Sequence, residues 1–230
     1  MILYKYCDER GIDLLRNTRI KVSNLSDIND PFEFLPQFLV DMKELDLMLD
    51  SLYEYQKENY RILSLSQSEC NVVMWGHYCN KHKGILYKID TAKIVHDGGI
   101  ENPFVEVTYA KDRPSIDLQA LAKALEKKET DELEASVKLI TYTKFEDWKY
   151  EREYRAIVQY DQEEGYDYHN ISPNSIIEVV LGMNSTWETE TLVRVLLRDP
   201  KFSHVKLKKA KLDRQKYSLV YDDLDIERSP

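Results

Sequence analysis

One short segment of the chain alternates acidic and basic side chains, at Glu151, Glu153 and Arg155. On a β-strand, residues two apart point to the same face, so these three side chains would lie side by side. Two carboxylates about 7 Å apart beside a guanidinium suit acid–base catalysis or the stabilisation of a developing charge. The guanidinium would also keep a neighbouring carboxylate ionised. The same residue types occur on exposed edge strands with cross-strand ion pairs, and that alternative stays open.

Two serines, Ser64 and Ser66, share one face of another predicted strand, with apolar neighbours on either side. Their hydroxyls could bind the amide or the ribose hydroxyls of a ligand. The alternative is a strand end with turn-forming serines.

A compact aromatic segment, Met74–Cys79, predicts a helix. Trp75 and Tyr78 are three residues apart, share a helix face and would form an aromatic wall for a planar ring. The alternative is an aromatic helix packed on a sheet, in which His77 only satisfies a hydrogen bond. His77 and His82 are five residues apart and poorly aligned to chelate one ion, so we predict no metal site.

A basic segment, Val205–Tyr217, alternates lysines with apolar residues and carries a net charge of +5. It could contact a phosphate backbone, or it could be an edge strand that lysines protect against aggregation.

The hydrophobic patterns predict the elements that would carry these residues. Predicted strands are Ile2–Tyr6, Arg19–Ser23, Arg61–Ser66, Gly84–Ile89, Phe104–Tyr109, Tyr150–Gln159, Ile176–Leu181, Val205–Leu212 and Lys216–Tyr221. Predicted helices are Glu9–Arg16, Leu35–Asn59 after a start signal at Asn29–Glu33, Val72–Lys83 with Gly84 as C′ residue, Ser115–Tyr142, and Ser185–Arg198. Irregular interleaving of strands and helices favours one α+β domain over residues 1–230. We expect small mixed, mostly antiparallel sheets with flanking helices, and a helical elaboration at about 115–142.

Composition excludes several classes of function. The 230 residues include only 7 glycines, and none of them forms the glycine-rich fingerprint of a dinucleotide fold or a phosphate loop. The net charge of −9 argues against a protein that coats duplex DNA. No apolar run is long enough for a membrane span, and the three cysteines lack metal-site spacing. We therefore expect a cytoplasmic protein with reduced thiols and no membrane partner.

Several motifs, in this order, resemble a bacterial and phage-associated domain-of-unknown-function family, number twenty-nine seventy-one. The similarity runs from Leu3 to about Tyr221 and rests on Leu3–Tyr6, Asn29–Glu33, Ser64–Ser66, Met74–Tyr78, His82–Gly84, Trp148–Arg155 and Leu181–Gly182.

The order of an S-x-S strand followed by an E-x-E strand also resembles the plan of the ADP-ribosyltransferases, which bind NAD without a glycine-rich loop. That resemblance implies that Glu153 would hold the 2′-hydroxyl of the nicotinamide ribose and stabilise an oxocarbenium-like transition state. Glu151 would orient or deprotonate the acceptor, a protein or a nucleic acid. It further implies an effector in phage defence or a toxin.

The remaining roles that this resemblance implies concern NAD as co-substrate. Ser64 and Ser66 would hold the nicotinamide half, and its ring would stack on Trp75 or Tyr78 beside His77. Lys5 or Arg19 would contact the pyrophosphate. Arg155 would support the carboxylates.

Two alternatives belong to other classes of function. A non-enzymatic sensor of nucleic acid or of a phage component would use the Lys206–Lys216 segment with exposed tyrosines. A metal-dependent hydrolase would use Glu151 and Glu153.

Overall fold

The structure is a computed structural model that describes residues 1–24, 27–35, 37–38, 57–58, 60–94, 104–117, 130–159 and 167–227. Its strands are β1 Ile2–Cys7, β2 Arg19–Lys21, β3 Gln37–Phe38, β4 Tyr60–Ser66, β5 Ile85–Asp90, β6 Val105–Glu106, β7 Thr108–Ala110, β8 Ser115–Ile116, β9 Thr143–Phe145, β10 Glu153–Gln159, β11 Tyr168–Asn170, β12 Ile176–Leu181, β13 Lys206–Leu212 and β14 Leu219–Asp223. Its α-helices are α1 Asp13–Asn17, α2 Val72–Tyr78, α3 Thr130–Thr141 and α4 Trp187–Leu197, and five 3₁₀ helices lie at Glu9–Ile12, Thr91–Lys93, Glu146–Glu151, Pro173–Ser175 and Pro200–Phe202.

The main sheet has eight strands in the order β14-β13-β12-β5-β1-β4-β10-β6. Most neighbours pair antiparallel, while β12 and β13 pair parallel because the chain crosses between them through α4. Smaller two-stranded sheets pair β2 with β11, β3 with β8 and β7 with β9. Helices with a mixed, mostly antiparallel sheet confirm the predicted α+β class.

The two faces of the main sheet are buried by different helices. Successive residues of a strand point to opposite faces, so Leu3 belongs to one apolar cluster and Tyr4 to the other. The first cluster packs against Leu15 of α1 and Val193 of α4. The second packs against α2, whose Trp75 is fully buried. In the described residues, no helix is long and apolar enough to cross a membrane.

The helix α2 is shorter than predicted and ends at Tyr78. Asn80, Lys81 and His82 follow with φ angles of 43°, 54° and 67°, a left-handed run that no α-helix continues. The side chain of Asn71 caps the first turn by accepting hydrogen bonds from Val73 N and Met74 N. Gly84 is therefore not the C′ residue of this helix.

Three other predicted elements differ from the structure. Residues 31–34 form a turn rather than a helix start, and most of the predicted helix Leu35–Asn59 lies outside the described residues. The predicted helical stretch Ser115–Tyr142 begins as β8, lies outside the described residues at 118–129, and is helical only from Thr130. The segment Val205–Tyr217 contains β13, which is not an edge strand, since it pairs with β12 on one side and with β14 on the other.

Candidate functional site

A cavity of about 160 Å³ lies where β1, β4 and β10 meet α2. Its wall includes many residues that the sequence predicts for a site, namely Lys5, Ser64, Ser66, Tyr78, Glu151, Glu153 and Arg155. The described segments Ser23 and Asp27–Asn29 and the turn at Glu33–Phe34 line it as well. Sequence-distant segments thus converge on one concave space.

The register between β4 and β10 places serines and charged residues together. Glu153 pairs with Ser66 and Arg155 pairs with Ser64 across the two strands. Directly paired residues point to the same face of a sheet, so all four side chains face the cavity side.

Glu151 lines the same cavity, but it does not lie on the strand that the sequence predicts for it. It ends the 3₁₀ helix Glu146–Glu151 instead of lying on the strand. Arg152 follows in the left-handed region with φ 47°, and β10 begins only at Glu153. The predicted strand alternation therefore holds for Glu153 and Arg155 but not for Glu151.

A buried ammonium, that of Lys144 on β9, connects the carboxylates. Its Nζ lies 2.6 Å from Glu151 Oε2, 3.2 Å from Glu153 Oε2 and 3.5 Å from Glu33 Oε1. Burial lowers the pKa of Lys144, but the charges of Glu153 and Glu151 raise it by more, and the net shift is upward. The lysine thus stays charged at neutral pH and joins three acidic side chains.

The guanidinium of Arg155 donates two hydrogen bonds to the carboxylate of Glu153. Nε lies 2.7 Å from Glu153 Oε1 and Nη2 lies 2.9 Å from Oε2, the bidentate geometry that suits a carboxylate. Its Nη1 donates to Thr141 O at 2.7 Å, and Nη2 also pairs with Glu33. Burial raises the pKa of Glu153 above its ordinary value, while the charge of Lys144 acts in the opposite direction.

Hydrogen bonds hold the other residues of the cavity wall in place. The Tyr78 hydroxyl donates a hydrogen bond to Glu151 Oε1. Burial is the main cause that raises the pKa of Tyr78, and the charge of Glu151 is the second. Ser66 Oγ donates to the backbone oxygen of Glu151 at 2.5 Å, and Lys5 Nζ donates to Ser64 O at 3.0 Å. The site is therefore held in place by bonds among its own members.

Three predicted site residues lie away from the cavity. Trp75 is fully buried in the second apolar cluster, where its Nε1 donates to Tyr221 Oη at 3.1 Å, so its ring is not available for stacking. His77 is exposed, with Nδ1 3.2 Å from Tyr150 Oη. Arg19 forms an ion pair with Asp13 at 2.6 Å, and its guanidinium lies over the ring of Tyr168 in a cation–π contact.

Three further residues belong to the site although no sequence pattern predicts them there: Lys144, Glu33 and Tyr109. Tyr109 Oη accepts the backbone N–H of Glu153 at 2.8 Å. Glu33 belongs to the predicted helix start and to the family motif Asn29–Glu33, and neither predicts its place in the site. Lys144 stands in no motif, and its place depends on the parallel pairing of β9 with β7.

The lysines of β13 are largely engaged in ion pairs. Lys208 Nζ lies 2.8 Å from Glu178 Oε2, Lys209 Nζ lies 2.9 Å from Glu190 Oε2, and Lys211 pairs with Asp222. Acidic residues of other segments thus balance much of the positive charge of Val205–Tyr217.

Residues 74–156 match the sequence model of a family described as a protein of unknown function, DUF2971. This match confirms the predicted family over those residues, and the extension to Leu3 and Tyr221 stays a prediction. The matched range contains Tyr78, Lys144, Glu151, Glu153 and Arg155. Neither a curated protein nor a solved structure matches the chain.

Proposed function

We propose that the chain is an ADP-ribosyltransferase-like enzyme that uses NAD as co-substrate and binds its nicotinamide end in the cavity between β1, β4, β10 and α2. The observation that carries the proposal is the meeting of Ser64, Ser66, Tyr78 and both carboxylates of the E-x-E motif at one cavity wall. The serines precede Glu151 and Glu153 by more than eighty positions in the sequence, so local structure alone does not bring them together.

The size of the cavity supports a single ring as its occupant. A cavity of about 150 Å³ holds a benzene molecule, and this one measures about 160 Å³. Nicotinamide is a six-membered ring with an amide, whereas the whole of NAD is several times larger. The ribose and pyrophosphate would therefore lie across the mouth of the cavity, near Lys5.

The proposed chemistry breaks the bond between the ribose C1′ and the nicotinamide nitrogen. The bonding electron pair leaves with nicotinamide, and the ribose acquires an oxocarbenium-like positive charge that the Glu153 carboxylate stabilises. The nucleophile of the acceptor then bonds to C1′ and loses its proton to Glu151. Lys144 and Arg155 act as positioning residues, since their ion pairs hold the two carboxylates in place at the cavity wall.

A ribose hydroxyl needs a free acceptor position on Glu153. Arg155 and Lys144 occupy three of the roughly four lone-pair sites of this carboxylate. The Ser64 hydroxyl also hydrogen-bonds to it. Ser64 is thus the partner that a ribose 2′-hydroxyl would replace, since a neutral donor is released at lower cost than a cation.

The test measures nicotinamide release and label transfer from labelled NAD in a cell lysate. Glu153→Gln should lower nicotinamide release by about a hundredfold or more, because a neutral amide does not stabilise the positive ribose. Glu106→Gln makes the same change at an exposed position of the neighbouring strand β6 and should keep the native rate. Absence of both NAD cleavage and label transfer from the native chain would refute the proposal.

A second variant separates catalysis from folding. Ser64→Ala leaves the ion pairs of Glu153 in place, so the fold should survive and the main change should be in KM for NAD. Thermal unfolding of both variants identifies a loss of rate that comes from a loss of structure. Equal kinetics for the native chain, Glu153→Gln and Ser64→Ala would contradict the roles proposed for Glu153 and Ser64.

A further inference from the structure

A second cavity of about 220 Å³ lies on the other side of the Glu33–Lys144 ion pair. Glu33 and Lys144 line both cavities, so this pair forms a shared wall. The second cavity is also lined by Asp30, and Phe32 and Phe145 stand at its exposed edge. Nothing in the proposed reaction uses this space.

Two carboxylate oxygens at this cavity lack a partner. Asp30 and Glu33 are 5% and 6% exposed, and in the described part of the chain neither Asp30 Oδ2 nor Glu33 Oε2 has a hydrogen bond. The other oxygens are used, since Asp30 Oδ1 accepts from Phe32 N at 2.9 Å and Glu33 Oε1 pairs with Lys144 and Arg155. Burying a carboxylate oxygen without a hydrogen-bond donor costs free energy, so we expect a donor to bind at both oxygens.

The local charge balance indicates what kind of donor is needed. Among the described residues that line the two cavities and are not exposed, four carboxylates face three cations: Asp30, Glu33, Glu151 and Glu153 against Lys5, Lys144 and Arg155. Buried charges are normally paired. Lys111 and Arg113 also line the cavity, but they are exposed, and water and salt screen their charges. A positively charged ligand would supply both missing donors and the missing charge.

The unpaired oxygens and the aromatic edge of the cavity favour an alkylammonium as the ligand. The unpaired oxygens belong to two different carboxylates, which suits a compact ammonium with three donors better than a flat guanidinium that bonds one carboxylate side by side. Phe32 is 60% exposed and Phe145 is 40% exposed at the edge, where they offer apolar contact to an alkyl stem and cation–π contact to its charge. We propose that the second cavity binds an alkylammonium group, from a free polyamine or from a lysine side chain of a protein, through Asp30 and Glu33.

The test is calorimetric titration of the full chain without NAD, so that its result is independent of the proposed transferase activity. The probes are n-butylamine, spermidine and Nα-acetyl-lysine methylamide, with n-butanol as neutral control. All three amines should bind more tightly than n-butanol. Tighter binding of spermidine than of the lysine derivative assigns a polyamine as the source, and the reverse order assigns a protein lysine.

The variants locate the binding. Asp30→Asn should weaken amine affinity by about tenfold or more, the usual effect of losing a charged hydrogen bond. Phe32→Ala, at an exposed position where the fold tolerates change, should weaken it roughly two- to fivefold. Asp112→Asn is the same substitution at an exposed lining position and should alter affinity by less than about twofold.

Three outcomes would overturn the inference. The first is binding of the amines no tighter than that of n-butanol. The second is full amine affinity in an Asp30→Asn chain whose thermal unfolding is unchanged. The third is an equal loss in Asp112→Asn and Asp30→Asn, which would show a general effect of negative charge.

Discussion

Lys144 illustrates how one side chain decides the electrostatics of the whole cluster. It is buried, yet it stays charged because Glu151, Glu153 and Glu33 lie within 3.5 Å of its Nζ. Removing one partner of such a buried group leaves the others as uncompensated charges, whereas removing the complete group can cost little. The cluster should therefore respond strongly to single substitutions.

Replacing Lys144 tests this dependence. Lys144→Met keeps a similar volume but leaves Glu151 and Glu153 without their shared ammonium, and it should lower the free energy of unfolding by about 3–5 kcal/mol. Urea unfolding followed by circular dichroism measures the loss. Lys206→Met, at an exposed lysine of β13, is the matched control and should change stability by no more than about 0.5 kcal/mol. A loss below 1 kcal/mol for Lys144→Met would show that the carboxylates do not depend on this ammonium.

Lys5 gives a prediction about pH. Burial lowers the pKa of Lys5 below its ordinary value of 10.5, with the charge of Glu153 acting in the opposite direction. Between the lowered pKa and about pH 10.5, the unfolded chain binds more protons than the folded one, so this residue makes stability rise with pH. Methionine does not titrate, so the native chain should gain stability relative to Lys5→Met as the pH rises from the lowered pKa of Lys5 towards about 10.5. Urea unfolding of both proteins at each pH checks this, and a constant or opposite difference would contradict it.

At the residue scale, strand alternation was the informative signal. It predicted that Glu153 and Arg155 share a face and that Ser64 and Ser66 share another, and the β4–β10 register joins those faces. Glu33 and Lys144 could not be predicted in the same way. Glu33 pairs with Arg155, which lies 122 positions away, and no local periodicity encodes such a contact.

At the scale of elements, the turn after α2 depends on close backbone approach. A Cβ on Gly84 would lie 2.0 Å from the backbone oxygen of Cys7, and one on Gly182 would lie 2.1 Å from the backbone oxygen of His82. The chain from His82 to Gly84 thus packs against both the end of β1 and Gly182, which follows β12. This packing explains why α2 stops at Tyr78, the residue that reaches Glu151.

Two glycine substitutions compare this close approach with open space. Gly84→Ala should destabilise the fold by at least about 2–3 kcal/mol, because backbone atoms must move to admit the methyl group. Gly76→Ala places the same methyl group in helix α2 where, apart from the two neighbouring residues and the helix's own backbone, no atom lies within 4 Å, and it should stabilise by about 0.5–1 kcal/mol. Thermal unfolding of both variants measures the shifts. Equal effects of the two substitutions would contradict the packing argument.

Elements with strong alternation or a continuous apolar run were predicted well, and those that depend on neighbours were not. The strands Ile2–Cys7, Ile85–Asp90 and Ile176–Leu181 match their predictions within a residue or two because their side chains are mostly buried in the sheet. Asn29–Glu33 carries residues typical of a helix start, but Asp30 instead closes a turn onto Phe32 N. The same side-chain hydrogen bond serves a cap or a turn, and only the packing around it decides which forms.

At the scale of the whole molecule, charge is distributed so that basic segments are matched by acidic ones. The net charge of −9 is spread over the chain, and the basic segment Val205–Tyr217 lies in the sheet beside carboxylates. Glu178 of β12, Glu190 of α4 and Asp222 of β14 each pair with one of its lysines. A phosphate backbone would have to displace these carboxylates, which argues against the alternative of a nucleic-acid sensor.

Binding of a single-stranded oligonucleotide across a salt series tests this argument. Each phosphate contact contributes about −0.7 to the slope of log affinity against log salt on single strands. The native chain should show weak binding that is unchanged when Lys206, Lys208 and Lys209 are replaced by glutamine. Replacing Glu178 and Glu190 by glutamine releases Lys208 and Lys209, so affinity at low salt should rise and the slope should steepen by about 1.4, the value for two contacts. Tight, salt-dependent binding by the native chain that is lost with the three lysines would instead favour the sensor, because it would show that phosphates displace the carboxylates from these lysines.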